Sequence, residues 1–182
     1  LQRINASRGT RDREKFERMT RRDERADGLL GIQAAQDAGF SPVKINVVVE
    51  RGANDDEIVD LARFGREHGL EVRFIEFMPL DASDAWQRAT VVGQDEIVAA
   101  LAAEWPMELV PARGAAPADR WRYIDGAGTV GVIPTVTKPF CGDCDRVRLT
   151  ADGQVRNCLF AREESDLRTA LRTGASDEEI AD

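Results

Sequence analysis

Apolar residues recur at helical spacing over Asp27–Ala38 (DGLLGIQAAQDA), and Gly39 stands where such a helix ends. Val43–Val49 reads VKINVVV, a β-branched run that predicts a strand of a buried parallel sheet. Asn54-Asp55-Asp56-Glu57 has the spacing of a capping box and opens a helix through Glu67, closed by Gly69. Val72–Phe77 (VRFIEF) predicts the next strand, stopped by Pro79. Strand, helix and strand at this spacing make a βαβ unit with a right-handed crossover.

Past Pro79 the pattern changes. Asp81–Ala89 reads as loop, Gln94–Trp105 as an amphipathic helix, and Pro111–Asp119 (PARGAAPAD) as a linker. Short strands are predicted at Trp121–Ile124, Thr129–Ile133, Arg146–Leu149 and Gln154–Cys158, the last two joined by an Asp152-Gly153 turn. A final helix runs from about Glu163 to Arg172, with Gly174 closing it. Ser176-Asp177-Glu178-Glu179 has the spacing of a second capping box. The expected class is therefore α/β. Residues 1–80 supply β/α units of a parallel barrel or doubly wound sheet, and residues 81–182 a small α+β extension. A closed barrel of this kind takes about 250 residues, so these 182 residues make part of one.

Composition changes this picture little. The chain is 42% hydrophobic and 32% charged, as soluble globular domains are. It holds no apolar run of about 18 residues, and its start lacks the pattern of a signal peptide. Three cysteines without a secretion signal favour a reducing, cytoplasmic compartment. A net charge of −8 argues against nucleic acid as a partner. Residues 1–25 carry nine Arg/Lys against five Asp/Glu, which reads as a solvated helix face or, as the alternative, an anion-facing surface. The chain opens at Leu1 and stops at Asp182 inside a helical pattern, so it is expected to be a piece of a longer protein.

The chemistry concentrates near residue 150. PFCGDCDRVRLTADGQVRNCLF (139–160) spaces Cys141, Cys144 and Cys158 as C-x2-C-x13-C. Three soft thiolates select zinc, copper(I) or an iron–sulfur cluster, and one fewer than four leaves a metal position open. Asp143 or Asp145 could complete a zinc site. His68, the sole histidine, ends a helix about 75 residues earlier and reads as a surface charge at that helix terminus. Arg146 and Arg148 share one strand face beside the cysteines, which suits phosphate or carboxylate. Lys44 and Asn46 share a face of VKINVVV, and Arg73 takes a similar place in VRFIEF, with Glu76 on the opposite face. A lysine within such a strand needs an anion, either a structural partner or a ligand. Met78 ends its strand on the side where α/β barrels bind ligands.

Four segments together carry a resemblance: TRRD (20–23), AGFSPVKINVVVERGANDDEI (38–58), VRFIEFMPLD (72–81) and FCGDCDRVRLTADGQVRNCLF (140–160). In them the chain resembles the C-terminal half of the GTP 3′,8-cyclases, radical S-adenosylmethionine enzymes of molybdenum cofactor biosynthesis. The resemblance implies an incomplete, TIM-like radical S-adenosylmethionine barrel followed by a cluster-binding α+β extension. It implies conversion of GTP to (8S)-3′,8-cyclo-7,8-dihydroguanosine 5′-triphosphate, a lyase reaction begun by a deoxyadenosyl radical. It assigns Cys141, Cys144 and Cys158 to a 4Fe–4S cluster that meets the guanine. It assigns Lys44, Arg73, Arg146, Val147 and Arg148 to GTP, and Ser7 and Met78 to S-adenosylmethionine. It also implies that the product passes to cyclic pyranopterin monophosphate synthase.

The departures shape the expectation. No cysteine precedes Cys141, so the C-x3-C-x2-C motif of the radical-generating cluster is not in this sequence. The family's Asn-Val-Ser-Leu-Asp stretch stands here as Asn5-Ala6-Ser7-Arg8-Gly9. The chain is therefore expected to bind GTP and a cluster but to be inactive by itself. An open sheet edge predicts self-association, with a homodimer as one form. The competing readings are a non-catalytic metal- or nucleotide-binding module and a zinc-stabilised structural domain.

Overall fold

A computed structural model describes residues 4–7, 9–21, 25–80, 86–111 and 114–181. Arg8, Arg22, Asp23 and Asp81, which belong to the segments quoted above, lie outside the described residues, as do residues 82–85 of the expected loop and 112–113 of the expected linker. The chain folds as two compact units, Leu1–Cys141 and Gly142–Asp182.

One six-stranded sheet organises the first unit. Its strands are β1 (Ile4–Ser7), β2 (Val43–Val49), β3 (Glu71–Glu76), β4 (Met107–Val110), β5 (Asp119–Tyr123) and β6 (Thr129–Ile133), in the spatial order β1-β2-β3-β6-β5-β4. β1, β2, β3 and β6 run parallel, while β5 and β4 are antiparallel additions. Helices α1 (Arg13–Thr20), α2 (Arg25–Asp37), α3 (Ile58–Glu67) and α4 (Gln94–Glu104) connect them. The α/β class is thus present, with its parallel strands. α1 has no buried residue and is a solvated helix, as the charge pattern predicts.

β2 alternates. Val43, Ile45, Val47 and Val49 are buried, whereas Lys44 and Asn46 are half-buried and Val48 is exposed. The inward set packs with Phe74, Val130 and Val132 of the neighbouring strands against Ile32 of α2, Leu61 of α3 and Ile97 of α4. A Cβ on Gly65 would lie 2.4 Å from Val72 Cγ2, so α3 meets β3 through a glycine. Phe74 is 0% exposed at the centre of this layer. Phe74→Ala is expected to cost about 3–5 kcal/mol through lost burial and a residual cavity. Urea unfolding with an unchanged denaturant slope would measure it.

Two local features differ from the sequence pattern. The strands expected near 121–124 and 129–133 lie in the main sheet, because β6 runs parallel beside β3 in the register Val72↔Val130 to Ile75↔Ile133. The Asn54–Glu57 capping box does not form, and a single 3-10 turn occupies Asp55–Glu57. Asn54, fully buried, donates to the Val48 and Gly9 carbonyls (2.8 and 2.7 Å) and accepts from the Glu50 amide (2.9 Å). Glu57 accepts from the Thr10 hydroxyl (2.7 Å) and the Arg11 amide (2.7 Å) and pairs with Lys15 at 3.0 Å. Buried backbone groups must find partners, and the segment after β1 offers more of them than the helix terminus does. These two side chains therefore tie that segment to the end of β2 and the start of α3.

The second unit is an antiparallel sheet of β7 (Arg148–Leu149), β8 (Gln154–Arg156) and β9 (Ser165–Asp166), followed by α5 (Leu167–Thr173) and α6 (Asp177–Ala181). The expected Asp152-Gly153 turn joins β7 to β8, with Gly153 at φ +86° and its amide donating to the Thr150 carbonyl. α5 begins later than the pattern predicts, because Ser165 and Asp166 pair with β8 and Asp166 caps the helix at the Thr169 amide (2.9 Å). The Ser176–Glu179 capping box does form, with Glu179 accepting from the Ser176 amide at 2.8 Å and donating its own amide to the Ser176 hydroxyl. Among the described residues no helix is long and apolar enough to cross a membrane.

Candidate functional site

The residues that alternate with the core form the other face of the first unit's sheet. Register sets Ser7, Asn46, Arg73, Gly131 and Arg120 in one row across β1, β2, β3, β6 and β5. The adjacent row holds Asn5, Lys44 and Glu71. Strands lie about 4.8 Å apart, so Ser7 and Arg73 are separated by roughly 10 Å of sheet, with Asn46 between them. Ser7 is exposed at the C-terminal end of β1, and Met78 is half-buried just past the end of β3. Ligands of open parallel sheets bind at that edge. The structure thus brings Ser7, Lys44 and Arg73 to one face and sets Met78 beyond the same edge.

Lys44 and Arg73 converge on Glu71, which the sequence pattern does not single out. Arg73 Nε lies 2.8 Å and Lys44 Nζ 3.5 Å from Glu71 Oε1. Arg120 Nη2 and the Thr129 hydroxyl each lie 3.0 Å from Oε2. Among the described residues, three cations therefore meet one buried carboxylate. Burial pushes the Glu71 carboxyl upward, but the Arg73 hydrogen bond and the Arg120 and Lys44 charges outweigh it and hold the group below its usual range. Burial, with the charges of Arg73 and Arg120, pushes the Lys44 ammonium below the ordinary lysine range against the pull of Glu71.

These shifts have opposite consequences for stability. The depressed Glu71 group stabilises the fold above its unfolded pKa, and that contribution is lost as pH falls through the lower folded value. The depressed Lys44 group costs stability wherever an unfolded lysine would be protonated, and the cost fades only at alkaline pH. Glu71→Gln should therefore flatten the fall in stability below about pH 5. Thermal unfolding across that range checks this, and superimposable curves for the two proteins would contradict it.

The opposite face carries the buried carboxylate of Glu76, a strand position that the sequence pattern also marks. Glu76, 0% exposed, accepts from the amides of Gln94 (2.9 Å), Val136 (2.7 Å) and Thr137 (2.7 Å) and from the Thr137 hydroxyl. It thereby caps α4, whose N-terminal Gly93 has no side chain to do so, and fixes the segment that leads from β6 toward Cys141. The sequence marks Glu76 as a charge within an apolar strand, but not the amides of Gln94, Val136 and Thr137 that it meets.

Cys141 is the last residue of the first unit, and Cys144 and Cys158 belong to the second. Cys141 is exposed in the 3-10 turn Cys141–Asp143, Cys144 is half-buried and Cys158 exposed, and all three are free thiols. Cys144 Sγ accepts from Arg146 Nε at 3.2 Å, and Cys158 Sγ from the Phe160 amide at 3.4 Å. The Arg146 backbone amide and guanidinium pull the Cys144 thiol below its ordinary range. Sulfurs with N–H donors and a depressed thiol are the chemistry that a soft metal or an iron–sulfur group requires. Among the described residues, however, no three His, Cys, Asp or Glu side chains are gathered to hold a metal ion. His68 keeps the helix-terminal place expected of it, with Nδ1 2.9 Å from the Phe64 carbonyl.

Within the second unit Arg148 lies directly opposite Arg156 in the β7–β8 register, and Glu164 pairs with Arg156. Like charges facing across a ladder are unfavourable. Arg148 Nη1 and Arg156 Nε are buried without a hydrogen-bond partner among the described residues. Such donors seek an acceptor, and an anion supplies one. Val147, between the two arginines of the Arg146-Val147-Arg148 run, is 71% exposed.

The chain belongs to the Molybdenum Cofactor Synthesis C family, whose model fits residues 70–182. Over its whole length it is similar to proteins named GTP 3′,8-cyclase. It is 51% identical over 183 residues to that of Streptomyces coelicolor, covering 100% of this chain and 54% of the relative. It is 50% identical over 187 residues to that of Mycolicibacterium smegmatis (99% and 51%) and 49% over 189 residues to that of Corynebacterium glutamicum strain R (100% and 50%). The chain spans about half the length of these curated relatives.

Proposed function

We propose that this chain is the substrate-side portion of a GTP 3′,8-cyclase. Lys44, Arg73 and the Arg146-Val147-Arg148 run hold GTP, and Cys141, Cys144 and Cys158 hold a 4Fe–4S cluster. The observation that carries this reading is the cationic sheet face, where Lys44 and Arg73 share one carboxylate with a third cation. Among the described residues, Lys44 and Arg73 stand near the starts of β2 and β3 on this face, and the positive charge left over beside Glu71 suits a triphosphate. The buried, unpartnered donors of Arg148 and Arg156 support the same chemistry in the second unit.

In this reading the four parallel strands are part of an incomplete barrel, with Lys44, Asn46 and Arg73 on its inner face. Ser7 and Met78 contact S-adenosylmethionine at the strand ends. The cluster, when bound, supplies an iron position open to the guanine. The chain's own residues bind and orient. Lys44 and Arg73 neutralise phosphate oxygens, and the amide of Phe160 and the guanidinium of Arg146 each donate a hydrogen bond to a cysteine sulfur. Residues 1–182 contain no C-x3-C-x2-C, so by themselves they do not cleave S-adenosylmethionine or cyclise GTP.

Metal analysis tests the reading. Chain purified and reconstituted anaerobically should carry iron and acid-labile sulfide in about equal amounts, as a cysteine-ligated cluster does. Stoichiometric zinc without sulfide would instead make this a zinc-stabilised structural domain.

A further inference from the structure

We propose that Arg120 is a third phosphate-binding cation of the sheet face, contributed by an antiparallel strand and held in place by Glu71 and Thr129. This rests on the reading of that face as the GTP site. Arg120 stands in the same register row as Arg73, with Gly131 of β6 between them. A Cβ on Gly131 would lie 3.3 Å from both Arg73 Cγ and Ala118 Cβ, so the bare backbone there leaves room for the Arg73 stem. Arg73 and Arg120 thereby each reach a different oxygen of Glu71.

The three cations are not equivalent. The side chains of Lys44 and Arg73 are 13% and 15% exposed, whereas that of Arg120 is 44% exposed. Arg120 also donates to the Thr129 hydroxyl at 3.2 Å. One guanidinium nitrogen is thus anchored while the group keeps its access to solvent, the arrangement of a ligand-facing arginine. A structural ion pair would need one cation for one carboxylate. Among the described residues, three around Glu71 exceed its one negative charge, and the excess suits an incoming polyphosphate. By contrast, Arg122, two residues along β5, is matched by its own Glu108.

The test is calorimetric titration of the whole chain with GTP, inorganic tripolyphosphate and guanosine. The variants are Arg120→Ala, Arg120→Gln, Arg120→Lys and, as control, Arg122→Ala. Loss of one charge-assisted phosphate contact should weaken GTP and tripolyphosphate about tenfold, leave guanosine unchanged, and be largely restored by Arg120→Lys. Arg122→Ala should bind as the parent does. Should Arg120→Ala lose its circular dichroism, Arg120→Gln, which keeps the stem, decides. Equal GTP affinity in parent and variants overturns the proposal, whatever happens to melting temperature. Binding of neither GTP nor tripolyphosphate by the parent overturns this proposal and the nucleotide reading together. Arg120-dependent binding of tripolyphosphate with no preference for GTP supports the cation and refutes the guanine site.

Discussion

Glu76→Gln is expected to lower the unfolding free energy by about 3–5 kcal/mol, as a buried acceptor facing several donors is lost. Glu76 is fully buried and takes three backbone amides and a hydroxyl on its two oxygens. Glutamine keeps the shape but offers one oxygen, and its NH2 would face amides that are themselves donors. Each unsatisfied buried group costs about 1–3 kcal/mol, and at least two arise here. Part of the loss is the capping of α4. Urea unfolding of the two proteins measures the difference, and a loss below about 1 kcal/mol would show that the loop repacks around the amide. The same substitution should loosen residues 136–137, and with them the approach to Cys141.

Serine at any one of Cys141, Cys144 and Cys158 should abolish cluster loading, the largest functional effect expected of a single substitution in this chain. A three-thiolate site has no spare ligand, and serine is a hard, poorly ionised donor in place of a soft one. Iron and sulfide retained after reconstitution and gel filtration provide the readout. The fold should survive, because Cys141 and Cys158 are exposed and the core of the first unit contains no sulfur from these residues. A variant that keeps its full iron content would remove that cysteine from the ligand set.

Much of the first unit is legible in the sequence because its signals are local. VKINVVV and VRFIEF are long, β-branched and interrupted by single polar residues, so both strands and the outward face of Lys44, Asn46 and Arg73 can be read directly. The capping box at Ser176 is equally local, and it forms. What cannot be read depends on register between distant strands. Glu71, Arg120 and Thr129 meet only because β6 inserts beside β3 and β5 follows it antiparallel. Nothing in the linear spacing of residues 71, 120 and 129 announces that. β4 is four residues, MELV, too short to show a period. At Asn54 the local rule is overridden. The residue has the spacing of a helix cap, but three backbone groups, the Val48 carbonyl of β2, the Gly9 carbonyl after β1 and the Glu50 amide after β2, claim its side chain. The cysteine motif is specific in sequence, and it gains from the structure its N–H donors at Cys144 and Cys158.

The most direct test of the central claim is electron paramagnetic resonance of the anaerobically reconstituted, reduced chain before and after adding GTP. A 4Fe–4S signal that shifts with GTP, and not with guanosine-free tripolyphosphate, is the predicted result. It would mean that these residues hold a cluster and present it to the guanine. A cluster signal indifferent to GTP, or no cluster at all, would contradict the account.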